Sequence, residues 1–118
     1  MKKSLVFSAV AVVGLMSMTT AAHAFSTASC QACHAVDYPK VGPSFKSVVA
    51  KYGNEQALAK AFEDGFAVKD RKIASSDARW KAKAGLMTSQ FRMAIKGHEK
   101  AAAHAVFETV KNNNFGDY

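Results

Sequence analysis

The chain's only two cysteines, Cys30 and Cys33, stand three positions apart, and His34 follows at once. Thiols at that spacing project from one turn of helix, so both can reach one edge of a single group. The next residue, His34, then lies beneath that group and can ligate a metal through Nε2. Other uses of paired cysteines fit less well. A dithiol redox pair sits beside a βαβ pattern, which this sequence lacks. A four-ligand zinc site needs more donors than the chain places nearby, because only His98 and His104 follow His34. A disulfide across two residues closes a tiny loop and stabilises little. Cys-x-x-Cys-His is the attachment pattern of c-type haem, so one covalently attached haem c is expected here, through Cys30 and Cys33.

The first residues point the same way. Met1-Lys2-Lys3 is a basic start, Leu5 to Met16 is an apolar run, and Ala22-His23-Ala24 sets small residues at a cleavage site. This is the three-part pattern of a secretory signal peptide, too short for a bilayer span. Residues 1–24 are read as a cleaved export signal and 25–118 as one soluble, periplasmic domain. No membrane span is expected after cleavage, and export suits a haem attached outside the cytoplasm. A domain this small buries a modest core and often needs a covalent cofactor, metal or disulfide to hold it.

The composition beyond Ala24 favours helix: seventeen Ala stand against seven Val and two Ile. No segment shows a period of two bounded by turn residues. Four helices are predicted. Ser44 caps the first, with Phe45, Val48, Val49 and Tyr52 on one face, and Gly53 ends it. Asn54 caps the second, with Leu58, Ala61 and Phe62 inward and a stop near Gly65. Ser76 caps the third, whose stripe is Trp80, Ala84, Met87, Phe91 and Ile95. The last runs from about His98 to Asn112, with Ala102, Ala105, Val106, Thr109 and Val110 inward. Between them, Asp37–Pro43 is turn-rich and Ala67–Ser75 is polar and basic.

The stretches Ser29-Cys30-Gln31-Ala32-Cys33-His34-Ala35-Val36-Asp37, Lys40-Val41-Gly42-Pro43-Ser44-Phe45 and Val48-Val49-Ala50-Lys51-Tyr52 resemble the first half of the small soluble class I cytochromes c. The resemblance implies an all-α, class I cytochrome c-like bundle of short helices around the haem. It also implies that the Pro43 carbonyl accepts a hydrogen bond from His34 Nδ1–H and so fixes the ring. The likeness weakens after about Gly65. Gly85-Leu86-Met87-Thr88 is similar to the family's Gly-x-Met-Pro, with Thr88 where the family has proline. Met87 is therefore the leading candidate for the sixth iron ligand. Met93, His98, His104 and an open position remain as alternatives, and a Met on an apolar helical stripe also reads as core.

Tyr52 and Trp80 are expected to pack on or near the haem, each with a polar handle for a propionate. Only Phe25 to Ser29 precede Cys30, so the family's crossing of first and last helices must be small or missing. The tail Asn114–Tyr118 either folds its aromatics back or stays loose. The function implied is a periplasmic mono-haem electron carrier, not an enzyme. Its partners would be redox proteins with acidic docking surfaces, met by a basic rim of Lys81, Lys83, Lys96 and Lys100. The formal charge of +7 comes with no nucleic-acid motif, so nucleic acid is not an expected partner. Two other readings stay open: an open-coordination haem protein binding a small gas or reacting with peroxide, and the haem subunit of a dehydrogenase.

Overall fold

The computed structural model describes residues 24–74 and 77–118. The export segment, apart from Ala24, and the Ser76 cap lie outside the described residues. The helices are α1 (Ala28–Gln31), α2 (Phe45–Tyr52), α3 (Glu55–Glu63), α4 (Ala78–Lys81), α5 (Ala84–Gln90) and α6 (Glu99–Asn112). A 3₁₀ turn, Val68–Asp70, follows α3, and a π-helical turn, Phe91–Ile95, continues α5. The fold is all-α. Among the described residues the only β-type pairing is an isolated antiparallel bridge between Ser26 and Asp117.

Local chemistry sets most boundaries. Ser44 Oγ accepts from Ser47 N at 3.1 Å and starts α2, and Asn54 Oδ1 accepts from Ala57 N at 2.8 Å and starts α3. Gly53, at φ 84°, supplies the positive dihedral that ends α2. Asn113, at φ 53°, closes α6 in the left-handed region.

α6 packs on α2 and α3. The main core gathers Phe45, Tyr52, Leu58, Ala59, Phe62, Phe91, Ile95, Ala102, Ala103 and Val106. A second, smaller cluster joins Ala74, Trp80 and Ala84, with Val68 and Ile73 against it.

The third expected helix is not continuous. Asp77 caps α4, its carboxylate accepting from Arg79 N at 2.9 Å. The chain breaks at Ala82–Lys83, resumes as α5 and widens into the π turn. The reason lies in what the stripe must cover. Trp80 and Ala84 belong to the small cluster, whereas Phe91 and Ile95 belong to the main core. One straight helix offers its stripe to one neighbour, and this segment serves two.

The tail folds back. Phe25 N donates to Tyr118 O at 2.8 Å and Tyr118 N to Phe25 O at 3.2 Å. Thr27 Oγ1 donates to Gly116 O and accepts from Gly116 N, both at 2.7 Å. Phe115 meets Phe45 with ring centroids 5.3 Å apart. The short lead before Cys30 is thus anchored by the last five residues rather than by a long helix.

Candidate haem site

Cys30 lies within the single turn of α1, and the chain turns back after it. His34 N donates to Cys30 O at 2.8 Å, and Gly42 N donates to Cys33 O at 2.7 Å. The loop from Asp37 to Pro43 therefore returns to the motif. Gly42 is required there: a Cβ at that position would stand 2.5 Å from His34 Cε1. His34 Nδ1–H donates to the Pro43 carbonyl at 2.7 Å, the bond implied by the resemblance. Phe45 packs against the ring at 5.1 Å between centroids.

That hydrogen bond leaves Nε2 as the imidazole's lone-pair donor. Burial lowers the His34 pKa below the usual imidazole range and outweighs the opposing Pro43 bond, with Lys40 adding to the fall. The ring is neutral, the form a metal needs. Burial pushes the Cys30 thiol up to about 11, against the effect of Ser29, and neighbouring Cys33 adds to the rise. A dithiol redox centre needs a depressed thiol, so this environment argues against that alternative.

Cys30, Cys33, His34, Pro43, Tyr52, Trp80 and Met87 all line one cavity. Its empty space is about 1140 Å³, the solvent-open mouth included. Phe25, Phe45, Val48, Leu58, Phe62, Ile95, Ala102 and Val106 wall it from the main core, and Ile73, Ala74 and Ala84 from the small cluster. Val41 and Leu86, the latter 60% exposed, line it as well and mark its open rim. Apolar walls, two thiols on one turn and a neutral, oriented imidazole fit a haem attached at Cys30 and Cys33.

The candidates for the sixth ligand separate cleanly. Met87 is half-buried and lines the cavity. Met93 is 73% exposed and is not among the lining residues. His98 is exposed at the start of α6. His104 is turned toward α3, with Nδ1 3.0 Å from Glu55 Oε1 and Glu108 nearby. Neither histidine lines the cavity.

Tyr52 accepts a hydrogen bond from Lys72 N at 3.2 Å, which ties α2 to the loop beyond Asp70. Trp80 lies under the Arg79 guanidinium, 4.3 Å from its ring centroid, with Lys83 Nζ at 6.0 Å. Of the four rim lysines, Lys83 lines the cavity, while Lys96 lines a separate groove with Glu63, Arg92 and Glu99.

Two contributors escaped sequence reasoning. Gly42 carried a signal, a glycine before the proline of a loop that must pass the histidine. Arg71 carried none, lying in a polar segment without periodicity. It is 4% exposed and lines the cavity.

Cytochrome c-551 of Azotobacter vinelandii is 49% identical to this chain over 35 residues. The chain resembles a class I c-type cytochrome. The matched segment covers 30% of this chain and 43% of that relative, less than half of either. No protein-family profile matches the chain, and no solved structure matches it. Among the described residues no helix is long and apolar enough to cross a membrane.

Proposed function

We propose that the protein is an exported mono-haem cytochrome c that carries single electrons between redox proteins and catalyses no reaction of its own. The observation that carries this reading is the pairing, in one apolar cavity, of a Pro43-oriented His34 with Met87, beside Cys30 and Cys33. When bound, haem c supplies one-electron exchange between Fe(III) and Fe(II).

The chain's own residues do the rest. Cys30 and Cys33 tether the group, and His34 is held in one tautomer by Pro43. Met87 supplies a thioether, a donor that raises a haem potential relative to harder ligands. The walls from Phe45 to Val106 exclude water, which favours the less charged reduced state. Val41 and Leu86 form an apolar rim suited to close approach of a partner. Lys83 adds positive charge there and favours acidic partner surfaces, mainly through association rate. Export rests on the sequence of residues 1–24.

Carbon monoxide binding by the ferrous holoprotein tests this reading. A carrier whose iron would be held by both His34 and Met87 resists the gas, and its redox titration follows a one-electron curve. Immediate stoichiometric binding would overturn the carrier reading in favour of an open gas or peroxide site.

A further inference from the structure

We infer that Arg71 is a positioning residue for Met87, gripping α5 on both sides of the methionine and so fixing where its sulfur stands in the cavity. This rests on the reading of Met87 as the sixth ligand. The Arg71 guanidinium is buried and its three nitrogens take three partners. Nε donates to Phe66 O at 2.8 Å, Nη1 to Ala84 O at 3.1 Å and Nη2 to Thr88 Oγ1 at 2.8 Å. Thr88 Oγ1 donates in turn to Ala84 O at 3.1 Å, which closes a triangle. The guanidinium carbon also lies 4.5 Å from the Phe66 ring centroid.

Ala84 and Thr88 are one helical turn apart, and Met87 sits between them in sequence. A planar fork bonded to both ends of that turn fixes the rotation of α5 and its position along its axis. The third bond, to Phe66 O, anchors the fork to the chain just beyond α3. The turn carrying Met87 is thereby referenced to the α3 side of the main core, against which Met87 also packs. The grip is needed because Lys83 gives α5 no side-chain cap and its α-helical part gives way to the π turn after seven residues.

Thr88 is half-buried, so its substitution tests the grip without emptying the core. Thr88→Val removes the hydroxyl at nearly constant volume, Thr88→Ser keeps it, and Arg71→Lys keeps the charge but loses the fork. In the ferric holoprotein, imidazole added as a competing ligand reports how readily the sulfur leaves. Thr88→Val and Arg71→Lys should speed displacement about tenfold, the order expected for a lost charge-assisted hydrogen bond. Thr88→Ser should stay near the wild-type rate. A purely packing role would lower the melting temperature of Thr88→Val yet leave the displacement rate unchanged, and that result overturns the proposal. Met87→Ala separates the two levels. If it loses the sulfur-to-iron charge-transfer band while Thr88→Val and Arg71→Lys exchange at the wild-type rate, the Arg71 role alone fails. If it keeps the band, the ligand reading fails and the Arg71 role with it.

Discussion

Around Cys30, Cys33 and His34 the loop is closed mainly by main-chain bonds, whereas around Met87 the longer ties come from side chains. On the first wall, Gly42 N meets Cys33 O at 2.7 Å, Phe45 N meets Ala35 O at 2.9 Å and Lys46 N meets Val36 O at 2.9 Å. On the second, Arg71 binds two points of α5, the Tyr52 hydroxyl holds Lys72 N, and Arg79 lies on Trp80. Main-chain bonds over short separations follow from glycine, proline and cap positions. Side-chain ties across 13 to 20 residues depend on which residues happen to meet. The first wall is a local construction, and the second exists only once the fold has formed.

The largest effect should come from removing what both walls face. Cys30→Ala with Cys33→Ala should abolish haem attachment and leave two apolar clusters on either side of an unfilled cavity. The loss of cooperative folding should be nearly complete, as read by thermal melting and near-ultraviolet circular dichroism. A compact apoprotein with a single sharp transition would show that the walls do not need the group.

Gly42→Ala strikes the first wall at its tightest point. The new Cβ meets the His34 ring, which Pro43 and Phe45 hold from other sides. A cost near the top of the overpacking range, about 3 kcal/mol, is expected in denaturant titration, with reduced haem loading. Wild-type stability and loading would mean that the loop shifts freely and that the main chain does not define this wall.

Thr27→Val tests the exception on the first wall, a side-chain tie from the lead before Cys30 to the distant tail. Thr27 is fully buried and its hydroxyl satisfies both the N–H and the carbonyl of Gly116. Removing it should cost about 1–2 kcal/mol and release the tail first, seen as faster amide exchange at Gly116 and Tyr118. Unchanged exchange would make the tail's return a matter of Phe115 packing alone.

The smallest effect lies at a residue that does not line the cavity. The Glu99 carboxylate is held below its usual range, chiefly by Gly97 N–H at 2.8 Å and then by its own N–H. A depressed carboxylate stabilises the fold above its ordinary pKa, and that contribution fades as pH falls through the folded value. Glu99→Gln should therefore be slightly less stable than wild type at neutral pH and equal to it in acid. A gap that persists in acid would assign the effect to packing instead.

The same contrast explains what was legible beforehand. Ser44, Asn54 and Gly53 set helix ends through bonds within a few residues, so α2 and α3 could be read directly. The Cys30–His34 motif is equally local, and the Pro43 bond followed from the family resemblance of the same stretch. The break in the third helix was hidden because Trp80, Ala84, Met87, Phe91 and Ile95 keep a regular spacing although they face two clusters. The choice between Met87 and Met93 was hidden because both lie on the same short segment, and only the packed chain exposes one and lines the cavity with the other. Arg71 looked like one basic residue among several, since its partners, Ala84 and Thr88, are far along the chain.

The proposed iron site takes His34 from one wall and Met87 from the other. The ferric absorption spectra of Met87→Ala and Met93→Ala holoproteins, recorded beside wild type, test it most directly. Met87→Ala should lose the sulfur-to-iron charge-transfer band and become high-spin or water-ligated, while Met93→Ala should match wild type. A band that survives Met87→Ala, or that disappears with Met93→Ala instead, would contradict it.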